Sequence, residues 1–301
     1  MRVYSIPMRT RFRGVTRREG VLIRGPAGWG EFSPFPEYEA KECARWLAAA
    51  REAAYDGWPP PLRDHIAVNA TIPAVSPERA HDLTTASGCR TAKVKVAERG
   101  QRDGDDLARV EAVRDALGPT GRLRVDVNGA WDVDHAVTMI NALRRFDLEY
   151  VEQPCATLAE LARVRRRVDV PVAADESIRR AEDPLRVRAA LRVAAACGLP
   201  VVVSSAVETS VGLAAGLALA AALPELPYAC GLATLSLLEG DVAADPLVPS
   251  CGVIEARRPL LDEAALARYE VSASPVGAAW RRRVADAQVL MDAPPVIGVV
   301  R

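Results

Sequence analysis

The sequence predicts an α/β protein built as a (β/α) TIM-like barrel with an N-terminal α+β capping domain. From about residue 65, short β-branched runs alternate with amphipathic stretches in which apolar residues recur at helical spacing. Repeated βα units form parallel sheets, and this many in succession favour a closed barrel over an open sheet. The 301 residues, half of them apolar, can bury a core of that size.

Residues 1–64 follow a different pattern and are interpreted as the capping domain. Glycine-rich turns separate short runs typical of strands, and an alanine-rich stretch follows them. The predicted elements are three strands and one helix, at 2–7, 21–24, 28–32 and 38–55. The proline-rich GWPPP at 57–61 is expected to join this domain to the barrel.

The barrel is predicted to span residues 65–249. Its candidate strands are short β-branched runs at 66–73, 91–97, 122–128, 149–154, 171–176, 200–206 and 227–231. Helices fit between them, for example at 105–117, 132–145 and 157–168. Residues 250–301 lack the βα period, so we expect a tail that packs back on the capping domain.

Composition and charge restrict which binding partners and which cellular compartment we expect. The 39 basic and 39 acidic residues cancel, so we expect no nucleic-acid partner, which would need a broad basic face. The most apolar run, 211–223, is 13 residues long, whereas a membrane span takes about 20. The six cysteines form no C-x-x-C pair and the N-terminus lacks an apolar signal core, which predicts a cytoplasmic protein with free thiols.

Three acidic residues end successive predicted strands. Asp126 ends RLRVD, Glu152 ends EYVE and Asp175 ends PVAAD, with spacings of 26 and 23 residues. In a parallel barrel the carboxyl ends of the strands meet at one mouth, where such enzymes keep their chemistry. Each acid alone could be a turn or helix cap, but together they would repel one another unless a cation joined them, and oxygen ligands suit Mg²⁺. The set therefore predicts a divalent metal site.

Two lysines are predicted to share this site. The chain contains 36 arginines and only three lysines, two of which are Lys93 and Lys95. Residues i and i+2 of a strand point to the same face, so both side chains are expected inside the barrel. Each ammonium, together with a nearby metal ion, should lower the pKa of the other lysine and make an amine available as a general base.

The motifs around these residues resemble a known family. TAKVKV, VDVNGAW, EYVEQP, AADES and PVVVSSAVETSVGLAAG follow one another in the order found in the enolase superfamily. The chain is most similar to the muconate-lactonizing subgroup and, within it, to the o-succinylbenzoate synthases of menaquinone biosynthesis. WGEFSPF at 29–35 adds to this similarity, which covers nearly the whole chain.

The resemblance implies roles for individual residues. Lys95 would be the base that removes a proton alpha to a carboxylate, with Lys93 as its partner. The three acids Asp126, Glu152 and Asp175 would hold Mg²⁺, for which Mn²⁺ is a possible substitute. The substrate would be a small carboxylate. Ser204 and Ser205 could either bind a substrate carboxylate or cap the following helix.

The implied reaction is dehydration of 2-succinyl-6-hydroxy-2,4-cyclohexadiene-1-carboxylate to o-succinylbenzoate by a lyase. The alternatives are an N-acylamino acid or dipeptide racemase of the same superfamily, and a relative that binds metal without turnover. The sequence leaves open whether the chain is a monomer or a homo-oligomer.

The barrel pattern departs from the family at one place. Eight strands are expected and seven are found. The resemblance implies a further strand with another catalytic lysine after Asp175, yet 181–198 has the pattern of one helical stretch. We therefore expect the chain to lack roughly 20 residues near 187–188, about one βα portion of a barrel. Without a lysine on the opposite side, two-base racemisation is disfavoured.

Overall fold

A computed structural model describes residues 1–179, 196 and 198–292. The chain begins with an antiparallel sheet in the order β1-β2-β3, here called the capping sheet, made of Arg2–Phe12, Val15–Gly25 and Gly28–Phe32. Arg13 and Gly14 join β1 to β2, and both have positive φ, as tight hairpin turns require. Because this turn keeps the strands paired, β1 and β2 are much longer than the sequence predicted.

Helix α1, Ala40–Arg51, packs across the capping sheet and continues into a π-helical turn at Glu52–Asp56. It buries Cys43, Leu47 and Ala50, which recur at helical spacing. A side chain at Gly30 would collide with the Ala50 carbonyl, so glycine allows the close approach of β3 to the helix.

The barrel strands follow in the parallel order β8-β7-β6-β5-β4-β9. They are β4 His65–Ile72, β5 Thr91–Lys95, β6 Arg122–Asp126, β7 Leu148–Glu152, β8 Val172–Ala173 and β9 Cys230–Ala233. A short strand β10, Val253–Glu255, pairs antiparallel with the start of β4.

The helices that lie between the barrel strands pack against this sheet, whereas the last two helices of the chain contact the capping domain. The series is α2 Pro77–Ser87, α3 Asp103–Leu117, α4 Val133–Leu143, α5 Leu158–Arg165, α6 Glu176–Arg179, α7 Ser210–Ala222, α8 Glu263–Tyr269 and α9 Pro275–Asp292. Helix α5 is an example of how the sequence sets a helix. Thr157 and Glu160 form a capping box at its start, and Leu161 and Val164 face the core. No helix in the described part of the chain is long and apolar enough to cross a membrane.

Three predicted barrel strands differ from the structure, and one of them, predicted at 227–231, lies instead at Cys230–Ala233. Residues 171–176 contribute only the two residues of β8. Residues 200–206 form no strand, only a single parallel bridge between Ser204 and Gly231. Among the described residues β8 pairs only with β7, and Ser204 is paired only with Gly231. The predicted helical stretch 181–198 and the predicted loss near 187–188 fall almost entirely outside the described residues.

The last part of the chain contacts the capping sheet. Helix α9 packs on α1, and the Trp280 indole donates a hydrogen bond of 3.0 Å to Glu19 Oε2 in β2. The Trp280 ring also meets Phe32 edge to face, with 6.0 Å between ring centroids. The bounds 1–64, 65–249 and 250–301 for the three parts stay a prediction.

The capping sheet also packs on the barrel. Tyr4, Ile6 and Leu22 belong to the same apolar cluster as the barrel strands. The sheet therefore lies against the barrel, and its β1–β2 turn reaches the mouth described next.

Candidate active site

The two lysines of β5 point into the barrel toward the carboxylates of the next strands. Parallel pairing sets Lys95 opposite Asp126 and sets Asp126 opposite Glu152. Lys93, two residues before Lys95, lies on the same face and is 7% exposed. Register alone therefore brings these four side chains together at one end of the sheet, as the sequence predicted.

Direct ion pairs join the lysines to the carboxylates. The Lys93 ammonium lies 3.1 Å from Asp126 Oδ2 and 2.7 Å from Glu152 Oε1. The Lys95 ammonium donates to Asp126 Oδ2 and, at 2.9 Å, to Asn128 Oδ1. Asp126 thus serves both lysines, and Lys93 bridges two acids.

Burial and these charges shift the pKa values of Asp126 and Glu152 in opposite directions. Burial raises the pKa of Asp126, but the two lysine ammoniums outweigh burial and hold that pKa below its usual range. Burial and the negative charge of Asp126 raise the pKa of Glu152 to about 7. The two buried carboxylates therefore repel each other, and the Lys93 ammonium that bridges them offsets part of that repulsion.

Lys93 differs from the sequence-based expectation. Burial lowers its pKa, yet Asp126 and Glu152 outweigh burial and raise it above the usual lysine range. A lysine in direct contact with two carboxylates keeps its proton more readily than one beside only a second lysine and a metal ion. The two carboxylates therefore favour the protonated form of Lys93.

Asp175 follows β8 and lines the same small cavity, of about 30 Å³, as Lys93, Lys95 and Asp126. Its negative charge also contributes to the raised pKa of Lys93. The Asp175 backbone N–H donates to Gln153 Oε1 at 2.7 Å, and Ser177 donates to the same oxygen through both its N–H and its hydroxyl. Gln153 is fully buried, so it fixes where the chain turns after β8.

The donor set fits a divalent cation in its chemistry. Asp126, Glu152 and Asp175 offer only oxygen, which hard cations prefer. Among the described residues, however, no three His, Cys, Asp or Glu side chains already form a ligand cluster. A cation held by Asp126 and Glu152 would share their oxygens with the Lys93 ammonium.

The serines of 204–205 lie at the wall of this cavity. The Ser205 backbone N–H donates to Gly231 O at 2.9 Å, and its hydroxyl lies 2.6 Å from Thr234 Oγ1. Helix α7 is capped instead by Thr209, whose hydroxyl oxygen accepts from the Val211 N–H. Of the two alternatives for these serines, helix capping is therefore not what the structure shows.

Several cavity residues were not found from the sequence. Phe12 and Arg13, at the β1–β2 turn, reach the cavity from the capping sheet, and the Lys95 ammonium lies 5.2 Å from the centre of the Phe12 ring. No local pattern places a hairpin tip against a strand 80 residues later. Asn128 did carry a signal, because it stands two residues after Asp126 in VDVNGAW, and residues two apart beyond a strand end can share a site.

Comparison with known proteins assigns the chain. Residues 3–54 match the model of the enolase N-terminal domain-like family and residues 76–187 match the enolase C-terminal domain-like family. The o-succinylbenzoate synthase of Thermobifida fusca (strain YX) is 65% identical over 306 residues, which cover 95% of each chain. The chain belongs to the o-succinylbenzoate synthase family of the enolase superfamily.

A second relative supports the same assignment. The o-succinylbenzoate synthase of Mycolicibacterium smegmatis (strain ATCC 700084 / mc(2)155) is 53% identical over 288 residues, covering 89% of this chain and 88% of that one.

Solved structures confirm the fold class. A muconate lactonizing enzyme from Pseudomonas fluorescens aligns with a TM-score of 0.72 at 21% identity, covering 90% of this chain and 97% of that one. The L-Ala-D/L-Glu epimerase from Bacillus subtilis aligns with a TM-score of 0.71 at 23% identity, covering 86% and 95%. The predicted barrel with an N-terminal capping domain is thereby confirmed, and a divalent metal ion is the general cofactor of this superfamily.

Proposed function

We propose that the chain is a lyase that dehydrates 2-succinyl-6-hydroxy-2,4-cyclohexadiene-1-carboxylate to o-succinylbenzoate in menaquinone biosynthesis. One observation carries the proposal: a chain 65% identical to an o-succinylbenzoate synthase keeps two inward lysines in contact with two strand-end carboxylates. Proton removal beside a carboxylate needs a nearby amine and nearby positive charge, and this cavity supplies groups for both.

In this proposal Lys95 is the general base. Its ammonium lies at the cavity, held by Asp126 and Asn128, and is 11% exposed at the side chain. After losing a proton it would accept the alpha proton of the substrate and could return it to the departing hydroxide, so that water leaves and an aromatic ring forms. Lys93 would stay protonated and keep positive charge beside the reacting carboxylate.

We further propose that Asp126, Glu152 and Asp175 hold Mg²⁺, with Mn²⁺ as a substitute. A bound divalent cation would supply positive charge to the substrate carboxylate as its alpha proton is lost. Ser204 and Ser205 would donate hydrogen bonds to a substrate carboxylate from the opposite wall. We also propose a cytoplasmic location, because the five described cysteines are unpaired, and no nucleic-acid partner.

The racemase alternative is not favoured. Two-base racemisation needs a second base across the substrate. The one lysine of the chain besides Lys93 and Lys95 is Lys41, which lies in α1 of the capping domain. The likeness to the epimerase structure, at 23% identity, concerns the fold.

The test is direct conversion by the purified chain. We expect Mg²⁺-supplied protein to turn the cyclohexadiene substrate into o-succinylbenzoate, followed by mass and by the appearance of aromatic absorbance. A parallel assay incubates the chain with a single enantiomer of an N-acylamino acid and measures the loss of optical rotation. Racemisation without dehydration would favour the alternative, and metal binding without either reaction would favour a non-catalytic relative.

A further inference from the structure

Two buried charged side chains of the capping sheet bind the segment of chain just after Ser204 and Ser205. They are Arg18 in β2 and Glu31 in β3, respectively 2% and 8% exposed. Both contact residues 206–212, the segment that leads from the cavity wall into α7. Neither residue belongs to the proposed metal site or to the lysine pair.

Arg18 holds backbone carbonyls. Its guanidinium donates to Ala206 O at 3.1 Å and to Val207 O at 3.2 Å, and a further nitrogen donates to Ser33 O. The same guanidinium stacks on Phe35, 4.6 Å from the ring centre. Phe35 and Ala206 both line the cavity, so Arg18 ties two of its walls together.

Glu31 holds the beginning of α7. Its two carboxylate oxygens accept hydrogen bonds from the Thr209 hydroxyl, from the Thr209 N–H at 3.3 Å and from the Gly212 N–H at 3.0 Å. Tyr4 and Ser33 donate to Glu31 Oε1 at 2.6 and 2.7 Å, which satisfies the carboxylate from the capping sheet as well. A carboxylate at a helix N-terminus is also favoured by the helix dipole.

The conformation of residues 206–212 needs such contacts. Val207 has φ of 63°, a left-handed conformation that is costly for a β-branched residue and persists only where its surroundings impose it. Arg18 binds the carbonyl of Val207 itself, and the Glu31 contacts begin two residues later at Thr209. Other contacts of Ser204 and Ser205 are the bridge to Gly231 and the contact of the Ser205 hydroxyl with Thr234.

We propose that Arg18 and Glu31 are positioning residues that fix Ser204 and Ser205 for substrate binding by imposing the conformation of residues 206–212. This inference rests on the proposed function, because it takes those serines as substrate contacts. It predicts that damage to the capping sheet at these points weakens substrate binding while metal binding is unchanged.

The experiment compares Arg18→Met with Arg63→Met. Arg63 also donates to backbone carbonyls, but at the other end of α7, to Ala220 O at 2.8 Å and to Leu223 O, just after the helix, at 2.6 Å. Both variants lose arginine–carbonyl contacts near an end of α7, and only Arg18→Met loses contacts beside the cavity. A second variant, Arg18→Lys, keeps the charge with fewer donors in case Arg18→Met does not fold.

We expect Arg18→Met to raise KM for the cyclohexadiene substrate roughly 10- to 100-fold, the scale of a misplaced binding group. Arg18→Lys should show a smaller rise, and Arg63→Met should stay within about twofold of the parent because it lies outside the cavity. Mn²⁺ affinity, read by electron paramagnetic resonance, should be the same in all three. Equal KM values in Arg18→Met and Arg63→Met would overturn the inference.

Hydrogen exchange separates this inference from the proposed function. Amides of residues 203–209 should exchange faster in Arg18→Met than in the parent and in Arg63→Met, whatever the reaction is. Unchanged exchange there would overturn the inference even in an active enzyme. A parent that does not dehydrate the substrate would instead overturn the proposed function, and the exchange result would still decide whether Arg18 holds the segment.

Discussion

The contacts of the two lysines give them different expected roles. Lys93 bridges Asp126 and Glu152 deep in the barrel, whereas Lys95 shares Asp126 with Asn128 nearer the opening. A base must give up its proton and meet the substrate. Lys93, whose pKa the two acids raise, is suited to remain a cation, so the geometry favours Lys95 as the base.

Lys95→Arg should therefore lower the dehydration rate by roughly 10²- to 10⁴-fold, the usual effect of losing a general base. Arginine keeps the positive charge but stays protonated at working pH. Lys93→Arg should cost less, because a cation still lies between the acids. The measurement is turnover of both variants, with circular dichroism as the control for folding. Parental turnover in Lys95→Arg would show that another group is the base.

Metal affinity should show which residues belong to the proposed ligand set. Asp126→Asn, Glu152→Gln and Asp175→Asn each remove one charge from the proposed ligand set while keeping size and shape, so each should weaken Mn²⁺ binding measured by electron paramagnetic resonance. Asp134→Asn, on the exposed start of α4, is the matched control and should bind like the parent. Unchanged affinity in all three site variants would show that these acids are structural.

At the scale of elements, β8 and the turn that follows it depend on Gln153. Its Oε1 accepts three hydrogen bonds from Asp175 and Ser177. Gln153→Ala removes the acceptor, and a lost supporting contact of this kind typically costs roughly 10- to 100-fold in metal affinity. Gln153→Glu keeps an acceptor at the same place and should retain more of it. Equal Mn²⁺ affinity in the parent and in Gln153→Ala would contradict this role.

Helix α3 is tied to the end of β5 by a buried ion pair. Arg109 donates to Asp106 Oδ1 at 2.7 Å and to the Lys95 carbonyl at 2.8 Å, and Asp106 accepts from the Ala97 N–H at 2.7 Å. Asp106→Ala leaves a buried guanidinium without its carboxylate, which should lower the free energy of unfolding by about 3–5 kcal/mol.

Urea unfolding followed by circular dichroism measures this change. Asp134→Ala, which breaks the exposed pair with Arg167, is the control and should barely move the midpoint, because water screens that pair. A midpoint for Asp106→Ala as high as that of the control would show that the buried pair contributes little.

How well elements could be predicted depended on what pairs with them. Strands β5, β6 and β7 begin at or within one residue of the predicted start and end two residues before the predicted end. They could be located from the sequence because each has a paired strand on both sides. Residues 200–206 have the composition of a strand but form only a bridge at Ser204. A strand needs partners for its N–H and C=O groups, and a β-branched run cannot reveal whether a partner exists.

At the scale of the whole molecule, period and register account for what was predictable in the site. Acids one βα unit apart and lysines two residues apart had to meet at the mouth once the sheet was parallel. Contacts from the capping sheet could not be predicted. Phe12 and Arg18 reach the cavity region through the docking of one domain on another, for which neither helical nor strand period carries a signal.

The whole account depends on a divalent cation at the barrel mouth. Asp126 and Glu152 place two buried carboxylates side by side, which a divalent cation would stabilise, and the proposed reaction needs positive charge beside the substrate. Metal removal should therefore stop dehydration without unfolding the chain, because the apolar core consists of side chains that are not among the proposed metal ligands.

The most direct measurement is the rate of o-succinylbenzoate formation by one preparation before chelation, in excess EDTA, and after Mg²⁺ or Mn²⁺ is returned, with circular dichroism recorded at each stage. We expect turnover at the start, none above background in EDTA with an unchanged spectrum, and recovery with either metal. Full turnover in EDTA would contradict the account, since Asp126, Glu152 and Asp175 would then have no cation to hold.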